Sequence, residues 1–292
     1  MITFRTNEWL ARAQALLPQH TLSRIMHHLT RCEIACWKNF AIKRVISVYG
    51  VDLSEAKQED YRSYKSFNHF FTRQIKESVR PLDRDDRLVV SPADGSFCEI
   101  GSIEGNRILQ AKDQMFNLIE LLGGDHALAK PFENGQFATI YLSPRDYHRL
   151  HMPATGTLIE MRHIPGRLFS VNNATVASVP NLFARNERVI AIFDTPLGKM
   201  ALVLVGAIFV SSIETVWHGV VTPPTARSIR TWNYGDNPPE LPQGQEMGRF
   251  NMGSTIIVLF EPGKIAWSAA LQAGSAVKMG QEIGRALATV NS

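Results

Sequence analysis

The chain has 292 residues, of which 45% are hydrophobic and 20% charged, with a formal charge of +4. That balance excludes an intrinsically disordered chain, and the length suffices for one large core or two small ones. Three cysteines, Cys32, Cys36 and Cys98, with no C-x-x-C spacing exclude a disulfide framework and predict a reducing compartment.

The first predicted element is a helical piece carrying Trp9, Leu10, Ala13, Leu16 and Leu17, closed by Pro18. Beyond it Leu22, Ile25, Met26 and Leu29 recur at i, i+3, i+4 and i+7, with Thr21 as the expected cap. Ile34, Trp37, Phe40, Ala41 and Val45 continue the pattern after a small phase shift. Seven Lys/Arg (Arg5, Arg12, Arg24, Arg31, Lys38, Lys43, Arg44) face only Glu8 and Glu33 in residues 1–50, so the rest of the chain sums to −1. A basic amphipathic helix bearing Trp and Phe suits an anionic membrane surface, and no nucleic acid is expected as a partner. Arg5, Glu8 and Arg12 interrupt any signal-peptide core, and the longest apolar run, 200–210, is far short of the ~20 residues that cross a bilayer.

From about residue 87 the texture changes to short β runs at 88–90, 137–142, 157–164, 189–193, 199–210 and 255–260. Thr195-Pro-Leu-Gly198 reads as a hairpin turn, and 227–243, rich in Pro, Asn and Gly, as a long exposed loop. Strands do not alternate with long helices, which argues against a doubly wound parallel sheet. The expected fold is α+β: N-terminal amphipathic helices (1–60) packed on a mainly antiparallel, barrel- or sandwich-like β core (61–292). Gly244-Gln-Glu-Met-Gly-Arg249 recurs as Gly280-Gln-Glu-Ile-Gly-Arg285, two glycine-punctuated turns that suggest a small duplicated β unit.

Three segments carry candidate chemistry. Gly253-Ser254-Thr255 stands at the mouth of an apolar strand, an ordinary turn composition. It is also what self-attack needs, because the Ser254 hydroxyl can add to the Gly253 carbonyl where no Cβ blocks its approach. The resulting ester can be lost by β-elimination, and hydrolysis then leaves a pyruvoyl group at a new N-terminus. A base and a group to orient it are required. "YLSPRDYHRLHMP", 141–153, offers His148 and His151 after a Ser143-Pro144 pair expected to open one helical turn. These histidines can be structural, metal-ligating or acid–base groups, although no His-x-x-x-His spacing supports a metal. "VVSPADGSF", 89–97, presents Asp94 either as part of a hairpin turn or as the orienting carboxylate. Asp94, His151 and Ser254 together make a triad inventory, without the G-x-S-x-G elbow of an ordinary serine hydrolase.

These blocks, with "PGRLFSVN" at 165–172, "VPNLFARNER" at 179–188 and residues 244–255, resemble the bacterial, membrane-associated, pyruvoyl-dependent phosphatidylserine decarboxylases. The resemblance covers nearly all of the chain from Tyr61 to Gly284. Met252 stands where the family's Leu-Gly-Ser-Thr signature has Leu, a volume-conserving change. The resemblance implies a self-cleavage triad of Asp94, His151 and Ser254. Cleavage between Gly253 and Ser254 would give a β chain (1–253) and an α chain (254–292). It implies a pyruvoyl cofactor from Ser254 that forms a Schiff base with the serine amine of phosphatidylserine and acts as an electron sink. His148 is expected to assist proton transfer and Ser170 to grip the substrate head group, with no metal required. The expected setting is the cytoplasmic face of the cell membrane, bound peripherally, with the cut unit self-associating as a homo-oligomer. An Asp-His-Ser hydrolase with intact Ser254, a lipid-carrier β module and a pyruvoyl enzyme for a soluble amino acid are the alternatives.

Overall fold

The structure is a computed structural model that describes residues 14, 17–83, 85–111, 114–210, 212–223 and 226–287. The expected helical piece at Trp9, Leu10, Ala13 and Leu16 lies outside the described residues. Two helices open the described chain, α1 (Gln19–Arg31) and α2 (Ala35–Tyr49), and a short third follows, α3 (Phe67–Phe71). Thr21 does not cap α1, which begins after Pro18 with no side-chain cap; Ser66 caps α3 through the His69 N–H.

The periodicity of α1 and α2 is real, but its sense is the reverse of a packed core helix. Helix α1 buries Gln19, Ser23 and Thr30 and leaves Ile25 and Leu29 exposed. Helix α2 buries Lys38 and Ile42 while Trp37, Phe40 and Val48 face outward. Lys38 Nζ is satisfied by the Asn39 side chain and the Arg62 carbonyl, which makes its burial tolerable. A small cluster ties the helices to the body: Ile42, Val51, Tyr64, Phe67, Phe70 and Phe71.

The body is built on one antiparallel sheet of nine strands. Its parts, with neighbouring elements, are β1 (Gly95–Ser102), β2 (Gln136–Tyr141), β3 (Arg149–His151), β4 (Gly156–Ile164), β5 (Arg188–Thr195), β6 (Gly198–Val205), β7 (Glu246–Phe250) and β8 (Thr255–Phe260). The main sheet runs Arg230–Asn233, β4, β5, β6, β8, β2, β1, Ala276–Val277, with Glu240–Leu241 pairing β4 off this path. It does not close into a barrel. Strands β3 and β7 pair in a separate four-stranded sheet.

Thr255–Phe260 sits between β6 and β2 with all its residues buried, which explains a continuous apolar run in place of an alternating one. Thr195 pairs Gly198 across the expected hairpin, and Gly198 takes φ 83°. The 199–210 run is strand only to Val205. Residues 227–243 are not simply a loop: they return two short edge strands to β4, backbone pairing that Pro and Gly content conceals. The repeated glycines Gly244 and Gly280 are both left-handed, at φ 76° and 84°, and each leads into a strand. Those strands lie in different sheets, so the echo is of a turn and not of a duplicated hairpin.

The inverted helices generate an expectation. Ile42→Ala, at a fully buried position, is expected to cost about 2–5 kcal/mol in urea unfolding, whereas Phe40→Ala on the outward face should change stability by less than about 0.5 kcal/mol. Equal losses would show that Phe40 packs on the body.

Candidate active site

The turn between β7 and β8 is fastened before it is exposed to chemistry. The Asn251 N–H donates to the Ser212 carbonyl at 2.9 Å, its side-chain oxygen accepts from Asn68 Nδ2 at 2.9 Å, and its Nδ2 donates to Ser212 Oγ. Met252 then takes φ 111°, a conformation that a side chain bearing Cβ adopts only when its surroundings impose it. Gly253 follows, and a Cβ there would stand 3.3 Å from His148 Nε2 and 3.3 Å from the Leu142 carbonyl oxygen. Ser254 is fully buried, and its carbonyl accepts from the Leu142 N–H at 2.9 Å. Its Oγ, like His148 Nε2, has no hydrogen-bond partner among the described residues. Two unpartnered polar atoms at one buried turn are costly unless they serve a reaction.

The segment 143–151 is not the expected helical turn. Ser143 and Asp146 close a tight turn by two bonds, Asp146 N–H to the Ser143 carbonyl at 2.8 Å and Ser143 N–H to Asp146 Oδ2 at 2.7 Å. The chain then extends into β3. Asp146, which caps back on Ser143, diverts the segment from helix. In extended chain residues three apart point to opposite sides, and this separates the two histidines. His148 is fully buried against Phe71, with ring centroids 4.0 Å apart. Its Nδ1 donates to the Asp146 carbonyl at 2.8 Å, which leaves Nε2 as an unprotonated acceptor facing Gly253. Burial pushes the imidazole down to about 3, so it stays neutral at neutral pH.

His151 points elsewhere. Its Nδ1 donates to the Gly244 carbonyl at 2.8 Å and its Nε2 accepts from the Tyr147 hydroxyl at 2.9 Å. Burial lowers its pKa as well. Asp94 is held by Arg80, with Nε to Oδ1 at 3.1 Å and Nη2 to Oδ2 at 2.5 Å, and by the Met279 N–H at 2.8 Å. Burial alone would raise this carboxyl, but the Arg80 and Met279 bonds outweigh it and hold it low. The structure therefore brings His148 and Ser254 to one turn, and engages Asp94 and His151 with other partners. Arg80, Tyr147, Asn251 and Phe71 are site residues that the sequence reading passed over. Tyr147, inside the histidine block, and Asn251, inside the 244–255 block, carried a local signal; Arg80 and Phe71 did not.

A cavity of about 550 Å³ reaches this turn, lined by Val45, Phe67, Phe71, Leu142, Met252 and Gly253, with Gln14, Ser170 and Asn172 among its polar residues. No described residue lining it is charged. Among the described residues no group of three His, Cys, Asp or Glu side chains is placed to hold a metal ion.

Comparison with known proteins gives the family. The family model described as Phosphatidylserine decarboxylase matches residues 67–285, and a second, described as PSD, matches 10–50. The phosphatidylserine decarboxylase proenzyme of Methylococcus capsulatus is 54% identical over 274 residues, covering 94% of this chain and 95% of that protein. The proenzyme of Pseudomonas fluorescens is 54% identical over 278 residues, covering 94% and 96%. That of Bordetella avium is 54% identical over 272 residues, covering 93% and 92%.

The depressed His148 pKa makes a stability prediction whose sign is fixed. Between about 3 and the unfolded value near 6.5 the unfolded chain binds the extra proton, so stability is full above that window and falls as pH drops through it. From pH 7.5 to 5 the loss assignable to His148 is about 2 kcal/mol. Urea unfolding of His148→Gln should show a pH dependence flatter by about that amount; an unchanged slope would mean that this imidazole is not held neutral.

Proposed function

We propose a function from the premise that the chain belongs to the phosphatidylserine decarboxylase family, as the match over residues 67–285 and the 54% identical proenzymes show. It is a carboxy-lyase that releases the serine carboxylate of phosphatidylserine as CO2 and leaves phosphatidylethanolamine, using a pyruvoyl group made from its own chain. Within this structure, the observation that carries the reading is the fully buried Ser254 hydroxyl, without a partner among the described residues, beside Gly253 at the end of an apolar cavity.

Chain cleavage is proposed as follows. Ser254 Oγ bonds to the Gly253 carbonyl carbon and the peptide nitrogen leaves it, which converts amide to ester. Removal of the Ser254 α-proton expels the Gly253 carboxylate, and water then displaces the nitrogen as ammonia to leave a ketone. The strained Met252 and the Cβ-free Gly253 favour the first step by presenting the carbonyl. We assign this step to Asp94, His151 and Ser254. Because His151 is bonded to Gly244 and Tyr147, the assignment requires the 147–151 segment to shift before the base engages. A second reading, favoured by the position of Nε2 beside Gly253, makes His148 itself the cleavage base.

The residues present fit a ketone at position 254, since the orphaned hydroxyl already occupies that buried place and the cavity reaches its neighbour Gly253. When formed, the group supplies an electron sink for the bond to the departing carboxylate. The chain's own side chains do the rest. Ser170 and Asn172 hold polar head-group atoms, and Val45, Phe67 and Phe71 take apolar substrate surface and exclude water. His148 Nε2, neutral and unpartnered, moves the proton to and from the reacting carbon.

The membrane surface belongs to the same proposal. The outward Ile25, Leu29, Trp37, Phe40 and Val48, with Phe209 from the β6 side, form an apolar face beside the exposed Arg24, Lys43 and Arg44. That face suits shallow insertion among anionic head groups. No helix of the described residues is long and apolar enough to cross a membrane. The unpaired cysteines suit the cytoplasmic face, and self-association of the cut unit is part of the proposal.

Two measurements follow. On phosphatidylserine vesicles the wild type should release CO2; His151→Ala should remain one chain, and His148→Ala should be cut but slowed by roughly 100-fold or more. The reverse pattern would assign the cleavage base to His148, and no CO2 from the wild type would contradict the activity. Phe40→Ser with Trp37→Ser should weaken flotation with phosphatidylglycerol vesicles by at least about tenfold, since two large apolar side chains leave the interface. Undiminished flotation would remove α2 from the docking surface.

A further inference from the structure

A helix that turns its apolar residues outward must be held to the body by its polar ones. At and just before the start of α1, polar side chains reach one segment, 166–170. The Gln19 side-chain oxygen accepts from the Leu168 N–H at 2.9 Å, and Gln14 Oε1 accepts from the Ser170 N–H at 3.0 Å. His20 Nε2 donates to the Gly166 carbonyl at 2.9 Å, and Gln19 Nε2 donates to the Gln14 carbonyl at 2.9 Å, joining the grips. Between the two helix-side contacts, the Phe169 N–H donates to Asn186 Oδ1 at 3.0 Å, and Asn186 Nδ2 returns bonds to the Phe169 and Gly206 carbonyls. Three successive backbone N–H groups, at 168, 169 and 170, thus end on side-chain amide oxygens. One of those amides, Asn186, is set just before β5. Of the other two, Gln19 opens α1 and Gln14 lies five residues before it. Gln19 is buried at 3% exposure, so its loss would leave the buried Leu168 N–H without a partner.

Segment 168–170 ends in Ser170, which lines the cavity together with Gln14 and Leu17. Leu17, at 44% exposure, and Ile25, at 50%, belong to the outward face. One short stretch of chain therefore touches the proposed lipid surface on one side and the substrate cavity on the other. At its far end α1 is also fastened, through Arg31 Nη2 to Ser212 Oγ at 3.0 Å, and Ser212 holds Asn251 beside the scissile turn.

We propose that Gln19 is a positioning residue, which holds the 168–170 backbone against the cavity and couples docking of α1 on a lipid surface to the grip of Ser170 on the substrate head group. The inference rests on the function proposed above. Gln19 touches neither substrate nor the reacting atoms, so its removal acts on binding. The full-length Gln19→Leu protein should be cut to two chains as the wild type is. Its KM for phosphatidylserine in vesicles should rise roughly tenfold with kcat within about twofold, the size expected when one buried donor loses its partner. The rise should shrink in a Ser170→Ala background, because the two residues act through one segment. Gln14→Ala, at a half-buried position, should shift KM in the same direction by less and keeps the test open should Gln19→Leu fail to fold.

Amide exchange gives a readout independent of turnover. Phosphatidylglycerol vesicles, which carry no substrate, should slow exchange of the Leu168 and Ser170 amides in the wild type and not in Gln19→Leu. An unchanged KM in both variants, a loss confined to kcat, or wild-type exchange indifferent to vesicles would each overturn the coupling. A wild type that releases no CO2 would instead strike the function on which it rests.

Discussion

A serine hydroxyl sealed inside a protein with no hydrogen-bond partner among the described residues is a standing cost, and the arrangement around Ser254 is organised by that cost. The hydroxyl stays there because the residues on both sides are fixed by larger forces. Downstream, Thr255–Phe260 lies between two neighbours in the middle of the main sheet and cannot move without opening it. Upstream, Asn251 is bonded to Asn68 and Ser212. The short connection between these two anchors places Met252 at φ 111°, a strained conformation for a residue bearing Cβ. Gly253 fits next with least crowding, because a Cβ there would stand 3.3 Å from both His148 Nε2 and the Leu142 carbonyl oxygen.

The same burial sets the electrostatics. His148 is kept neutral by its surroundings, and its bond to the Asp146 carbonyl selects the tautomer that leaves Nε2 as the acceptor. Asp94 has the opposite fate: Arg80 and the Met279 N–H keep it ionised in spite of burial. The structure thus holds a neutral imidazole beside the Gly253 turn and a charged carboxylate engaged elsewhere. The extended segment separates His148 from His151, so each imidazole answers to a different environment.

Much of this was legible from residue order where a local rule decides the structure. The apolar run 255–260 could be little else than a fully covered strand, and the Thr195–Gly198 turn announced its hairpin. The failures share a cause, which is that long-range partners overrode local composition. Ser143-Pro144 looks like a helix start, but the Asp146 carboxylate caps the turn and β3 pairs with β7, so the segment extends. The 227–243 stretch looks like a loop until β4 offers its edge. For α1 and α2 the period could be read but not its sense. Which face is buried depends on Gln19, Lys38 and Arg31 finding polar partners far along the chain, and no window of sequence contains them. Asp94, His151 and Ser254 could be picked out as candidate residue types. Their present partners, Arg80 for Asp94 and Tyr147 for His151, could not.

The account depends on one covalent event, and the intact mass of the purified, denatured protein reads it directly. It predicts two chains, 1–253 and 254–292, with the shorter lighter by one ammonia than the fragment that simple hydrolysis would give. One full-length chain from an active preparation, or a short chain that retains its serine nitrogen, would contradict it.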